Sequence, residues 1–399
     1  MLLYFNLLLF IHNIYCFNIF GINYNVRIGP DWDYNKCKSL NQIKSELSIL
    51  KNITNNIKIF SLTDCNQGLN IINIANILNL NIWLGLWISK DTNIFINEKK
   101  ELINLIQLNL INNSNILGFN IGSESIYRNE MTVDENINYM LDIKKLLISN
   151  NIYKPVSLID TIDIYIDNPI IIEKSDLIIF NQFPFWEKIN INDSITYFNN
   201  KLNKLQNINN LYNKNIIIGE TGWSSNGFNK KTSEANKKNH AIYFINFYNY
   251  IKELNIQYFY FSAFDEPWKN IQNNDTNDVE SHFGLFYETG IIKEEIYNII
   301  NLNNSININL NNSININLNN SINNNLNNSI NNNLNNSINN NLNNNLNNSI
   351  NNNLNNNLNN NINNNLNNNL NNNINNNLNN SIKLNYYNFI FVFFLLYFL

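Results

Sequence analysis

The run Ile216-Ile217-Ile218-Gly219-Glu220-Thr221-Gly222-Trp223 decides how the rest of the chain is read. Three consecutive β-branched apolar residues describe a strand buried on both faces, as in parallel sheets. The run stops at Gly219, and a lone carboxylate follows at the strand's C-terminal end. In a (β/α)8 barrel, sites are built at that end, from strand ends and the loops after them. Taken alone, Gly-Glu-Thr-Gly reads more simply as the approach to a helix N-cap. A second carboxylate in the same kind of setting, Glu124 in Gly122-Ser123-Glu124-Ser125, tips the reading toward paired chemistry.

Working outward, short apolar runs alternate with longer amphipathic ones. Strands are expected near Phe20–Tyr24, Ile57–Ser61, Asn81–Trp87, Ile116–Ile121, Pro155–Ile159, Leu177–Asn181, Asn215–Gly219 and Gln257–Ala263. Helix-period segments lie between them, among them Leu40–Leu50, Leu69–Leu78, Lys99–Leu110, Val133–Ser149 and Ser233–Leu254. Strands separated by crossovers imply a parallel sheet, and eight of them close into a TIM barrel. The competing architecture is a doubly wound open sheet. That fold carries a Gly-rich phosphate turn after its first strand, and Gly21-Ile22-Asn23-Tyr24-Asn25 is no such turn.

Composition narrows the chemistry. Of 399 residues, 14% are charged and the net charge is −4, so there is no basic footprint for nucleic acid. Such a surface suits a neutral polymer recognised by hydrogen bonds and stacking. The three histidines (His12, His240, His282) and three cysteines (Cys16, Cys37, Cys65) have no zinc-ligand spacing. Gly122-Ser123-Glu124-Ser125 fails the nucleophile-elbow pattern at its last position. No metal or cofactor is expected, and carboxylates remain.

In the strand count Glu124 follows the fourth strand and Glu220 the seventh, so a closed barrel puts both at one rim. Two carboxylates flanking a cleft are the equipment for glycosidic bond cleavage. One is held protonated for the leaving oxygen; the other stays ionised to attack the anomeric carbon. At the same rim, Tyr24, Trp87 and Trp223 are expected to offer aromatic faces to sugar rings and Asn181 a polar contact. Core packing is the alternative for each taken singly. After the eighth strand, Phe264-Asp265-Glu266-Pro267-Trp268-Lys269 reads as a packed turn whose Glu266 and Lys269 bind sugar hydroxyls or set the charge state of the pair.

Together these stretches resemble glycoside hydrolase family 17, the β-1,3-glucanases, and its fungal cell-wall branch in particular. The resemblance rests on Gly118-Phe-Asn-Ile-Gly-Ser-Glu124-Ser-Ile-Tyr-Arg128, Ile218-Gly-Glu220-Thr-Gly-Trp223 and Phe261-Ser-Ala-Phe-Asp-Glu266-Pro-Trp-Lys269. It covers about residues 20 to 295. It implies a (β/α)8 barrel, β-1,3-glucan as substrate, Glu124 as general acid/base and Glu220 as nucleophile of a retaining hydrolase or transferase, with Glu266 and Lys269 lining the site. Lys58, Phe60, Ser123, Ser224 and Phe283 depart from residues common in the family. The rival readings are a glucan-binding wall protein without catalysis, and a retaining glycosidase of the same barrel type acting on another β-glycan.

The ends of the chain differ from its middle. Residues 1–17 (MLLYFNLLLFIHNIYCF) read as a signal peptide, leaving 18–300 for the barrel. In an oxidising compartment Cys37 and Cys65 would be free to pair, closing a loop worth roughly 3–4 kcal/mol; two unpaired thiols are the alternative. Residues 301–382 form an Asn-rich low-complexity stalk expected to be disordered, with Asn-Asn-Ser acceptors for glycosylation. The apolar run 383–399 reads as a glycosylphosphatidylinositol signal or a plain membrane anchor. A secreted, monomeric, surface-held protein is the expectation.

Overall fold

Strand propensity and burial coincide eight times along the chain. The computed structural model describes residues 17–301. Its strands are β1 (Gly21–Asn23), β2 (Asn56–Lys58), β3 (Asn81–Leu86), β4 (Ile116–Ile121), β5 (Val156–Thr161), β6 (Ile178–Asn181), β7 (Ile216–Thr221) and β8 (Gln257–Tyr260). Each pairs in parallel with its sequence neighbour, and β8 returns to β1, closing the barrel. A parallel strand next to its predecessor needs a crossover, and amphipathic helices supply most of them. They are α1 (Leu40–Leu50), α2 (Gln67–Leu78), α3 (Thr92–Gln107), α4 (Val133–Ser149), the short α5 (Ile162–Asp167) and α6 (Ile170–Lys174), α7 (Ser194–Asn209) and α8 (Lys237–Leu254). A short α9 (Trp268–Gln272) follows β8.

Local chemistry sets these boundaries. Ser39 and Gln42 form a capping box at the start of α1, and Thr132 and Glu135 form another at α4, each satisfying backbone N–H groups that the first turn leaves unpaired. Asn79 and Asn255 end α2 and α8 in the left-handed conformation that Asn tolerates. The sequence places α3 too late, at Lys99: Asp91, accepting from the Asn93 amide, starts the helix at Thr92.

Two apolar layers result. The larger lies between strands and helices. The smaller joins Trp83 of β3, Ile159 of β5, Ile179 of β6, Ile217 of β7 and Phe259 of β8 with Leu177. Contact between side chains of non-neighbouring strands, such as Trp83 and Phe259 at 6.3 Å between ring centres, is made only across the barrel interior. This plug fills the barrel and leaves the C-terminal rim for polar residues.

Phe17 belongs to the folded unit: it is buried and packs on Phe244 and Tyr248, with ring centres 5.3 and 4.7 Å away. The expected leader boundary at residue 17 falls on this ring. The remainder of the expected signal peptide, the Asn-rich stalk beyond residue 301 and the apolar terminal run lie outside the described residues. Among the described residues no helix is long and apolar enough to cross a membrane.

Candidate active site

A register shift at the end of β7 aims the first glutamate. Phe180 of β6 pairs with Ile218, but Asn181 pairs with Glu220, so Gly219 is passed over. Bulges of this kind re-aim a side chain beside a site. A side chain at Gly219 would come within 2.4 Å of Ile159 Cδ1 and 2.8 Å of Asn181 Oδ1, which is why the position is glycine. Glu220 emerges nearly buried, and its Oε1 accepts from Lys58 Nζ at 3.0 Å, with Ser123 Oγ at 3.5 Å. Lys58 is fully buried and also donates to Asn23 Oδ1 at 2.9 Å, while Asn23 Nδ2 donates to the Gly219 and Phe259 carbonyls. Burial pushes the Lys58 ammonium below its ordinary pKa; the Glu220 and, more distantly, Glu124 carboxylates oppose that.

The second glutamate stands on a bent loop. Gly122 (φ +75°) follows β4, and Glu124 itself adopts φ +57°, a conformation unusual for a residue with a long side chain. Asn181 Nδ2 donates to Glu124 Oε1 at 2.8 Å. Since Asn181 lies opposite Glu220 in the ladder, this one side chain ties both rim positions together. Glu124 keeps some exposure, yet protein atoms ring its carboxyl and push its pKa up to about 7. Burial is the main cause. The charges of Glu220 and Asp160 add to it, while the Asn181 hydrogen bond and Arg128 work against it.

Beside Lys58, whose ammonium lies 4.4 Å from the Phe60 ring centre, stands an aromatic and polar wall. Phe60 and Phe261 line a pocket with Asn23, Asn25, Lys38, Phe264 and Glu266. Phe183 and Phe283 meet the Phe261 ring edge-on, at 5.7 and 5.4 Å. Glu266 Oε2 pairs with Lys269 Nζ at 2.8 Å, and Lys269 also reaches Glu280 at 3.2 Å. Burial lowers the Lys269 pKa, but those two carboxylates outweigh it and leave it raised. Glu266 Oε1 has no protein partner.

The expected residues separate into those that meet at the rim and those that do not. Glu124, Glu220 and Asn181 come together, and Glu266 with Lys269 forms the neighbouring pair. Trp87 carries the Arg128 guanidinium over its ring at 5.1 Å, so that ring face is occupied by a cation. Two of the expected residues are enclosed. Trp223 is 0% exposed; its ring packs between Phe185 and Tyr243 and its Nε1 donates to the Glu234 carbonyl, so no face is left for a ligand. Tyr24 is 1% exposed, and its hydroxyl donates to Glu46, with Lys38 above the ring. Cys37 and Cys65 are joined in a disulfide, with Cα atoms 5.4 Å apart. Sequence reading gave no site role to Asn23, Lys58 or Asp160. Lys58 alone left a clear sign, a lysine between Ile57 and Ile59 in an otherwise apolar strand. Among the described residues no group of three His, Cys, Asp or Glu side chains could hold a metal.

A closed barrel with an acid-bearing cleft at its C-terminal rim defines a (β/α)8 enzyme of the kind that assembles its site from strand ends. The profile of the BtgE/BtgC glycoside hydrolase domain matches residues 21–284. The chain belongs to that family and is a glycoside hydrolase. It is 29% identical over 270 residues to a glucan 1,3-beta-glucosidase of Saccharomyces cerevisiae, covering 64% of this chain and 85% of that protein. A Candida albicans glucan 1,3-beta-glucosidase is 29% identical over 282 residues, 67% of this chain and 90% of the other. The structure of an active-site mutant of a Rhizomucor miehei beta-1,3-glucanosyltransferase in complex with laminaritriose superposes with a TM-score of 0.61. It is 30% identical, over 70% of this chain and 96% of that one.

Proposed function

We propose that this enzyme cleaves β-1,3-glucan with retention of anomeric configuration, Glu124 serving as general acid/base and Glu220 as nucleophile. The observation that carries the reading is the opposed setting of the two acids across Asn181. Glu124, with its pKa raised to about 7, holds a proton in weakly acidic solution. Glu220 Oε1 faces the Lys58 ammonium at 3.0 Å.

In the first step Glu124 gives its proton to the glycosidic oxygen as the bond to the anomeric carbon breaks. A Glu220 oxygen attacks that carbon from the other face and forms a glycosyl ester. In the second step the Glu124 carboxylate takes a proton from water or from a hydroxyl of another sugar chain, and that oxygen displaces Glu220. Phe60, Phe183 and Phe261 supply apolar surface for sugar faces, and Glu266 Oε1 an acceptor for a sugar hydroxyl. The relatives' named activities support β-1,3-glucan as substrate, and the glucanosyltransferase neighbour supports a sugar hydroxyl as acceptor beside water. A fungal-type wall enzyme acts outside the cell, in keeping with the leader-like N-terminus and anchor-like C-terminus of the sequence.

Incubating the purified protein with one laminari-oligosaccharide of defined length tests the reading. Shorter products with the β-anomer formed first are expected, and products longer than the input mark transfer. Absence of any conversion, or release of the α-anomer first, contradicts it.

A further inference from the structure

The Glu124 loop holds a conformation that its own residues do not favour. A left-handed backbone costs a side-chain-bearing residue about 1–2 kcal/mol, so it persists only where the surroundings over-determine it. Part of the constraint is backbone: Gly122 N–H donates to the Leu86 carbonyl at 2.8 Å and Glu124 N–H to the Ile159 carbonyl at 3.1 Å. Two later N–H groups of the turn have a different acceptor. Ile126 N–H donates to Asp160 Oδ2 at 2.9 Å and Tyr127 N–H to Asp160 Oδ1 at 3.3 Å, while Thr161 N–H also reaches Oδ1 at 2.8 Å. Asp160 is 1% exposed. A buried carboxylate at the end of β5 therefore acts as the dock for the turn leaving β4.

We propose that Asp160 is a positioning residue for Glu124, fixing the 122–128 turn through two successive backbone N–H groups and setting, by its negative charge, the protonation of the acid/base. This rests on the reading of Glu124 as the acid. The charged groups facing Glu124 are Glu220 on β7, Lys58 on β2, Arg128 on its own turn and Asp160 on β5. Those facing Asp160 are Glu124, Arg128 and, from α5, the Tyr165 hydroxyl, neutral at ordinary pH. Burial raises the Asp160 pKa to about 6, against three backbone N–H groups and Arg128, so the carboxylate is ionised from weakly acidic pH upward. Arg128 also donates to the Ser123 carbonyl at 2.5 Å, bracing the turn from its other end.

The test compares two substrates. A laminari-oligosaccharide needs a proton on its leaving oxygen, whereas a 2,4-dinitrophenyl β-glucoside has a leaving group that departs without one. Glu124→Ala comes first: it is expected to lose about 10²–10⁴-fold in kcat/KM on the oligosaccharide and far less on the aryl glycoside. Equal loss on both removes Glu124 from the acid role, and the present inference with it. Asp160→Asn keeps the shape, removes the charge and turns an amide against an N–H donor. It is expected to lose about 10- to 100-fold on the oligosaccharide, an intermediate share of the acid's contribution, with a much smaller loss on the aryl glycoside. The basic limb of its pH profile is expected to move to lower pH. Asp160→Ser, smaller and still able to accept one N–H, is expected to move it the same way should Asp160→Asn fail to fold. If Glu124→Ala shows the acid signature but the Asp160 variants leave the basic limb in place, or depress both substrates equally, Asp160 is structural only and the proposal is overturned.

Discussion

The ends of β4 and β7 each carry a glutamate, and they hold it in opposite ways. At β7 the residue is part of a strand, aimed by a bulge at Gly219 and neutralised by a wholly buried lysine from β2. At β4 it sits beyond the strand, on a left-handed turn docked to β5, with the Glu220 and Asp160 carboxylates, the Arg128 guanidinium and the Asn181 amide close to it. Burial, with the charges of Glu220 and Asp160 added, raises the pKa of Glu124, whereas Glu220 is held against a cation. The general lesson is that acid and nucleophile are assigned by neighbours rather than by residue type.

The difference is broken most severely at β7. Glu220→Ala is expected to fold and to lose turnover by a factor on the order of 10⁴ or more. Added azide then replaces the missing carboxylate and yields the inverted glycosyl azide, detectable by NMR; full activity in the variant would remove Glu220 from the mechanism. Next in size is Lys58→Met, which leaves the Glu220 charge nearly buried without its cation. About 10²–10³-fold in kcat/KM and about 3–5 kcal/mol of stability are expected to go, read by kinetics and by denaturant unfolding. An unfolding midpoint equal to that of the native protein would show the ion pair to be dispensable.

Glu124→Gln sharpens the contrast from the other side. A carboxyl whose folded pKa is about 7, above its unfolded value, contributes stability that is fully present below the unfolded pKa and lost as pH rises through about 7. A glutamine carries no such dependence. The variant is therefore expected to be more stable than the native enzyme at pH 8, on the order of 1–3 kcal/mol, and no more stable at pH 4. Thermal unfolding at the two pH values measures this, and an equal difference at both would deny the raised pKa. The smallest effect is expected from Ser123→Ala. Its hydroxyl lies 3.5 Å from Glu220, at the limit of a hydrogen bond, so about a threefold loss in kcat/KM is expected.

Much of the barrel was legible because its signal is local. Ile116–Ile121 and Val133–Ser149 emerge with their expected bounds, since a buried parallel strand and an amphipathic helix each write their period into adjacent residues. Glu124, Glu220 and Asn181 were legible for a related reason: polar residues ending apolar runs stand out. The aromatic residues were not. Trp223 and Trp87 both follow strand ends, yet Phe185 and the α8 residue Tyr243 enclose one and an arginine stacks on the other, and no pattern near either residue distinguishes the two.

The sequence by itself determined the eight buried runs, the crossovers between them and the presence of acids at two strand ends. Only the tertiary structure decided that Lys58 faces Glu220, that Asp160 holds the turn of Glu124 and that Tyr24 is core. Periodicity reports which face of an element is buried. What that face meets is settled by closure of the barrel, which brings residues from distant parts of the chain within hydrogen-bond reach and sets their charges against one another.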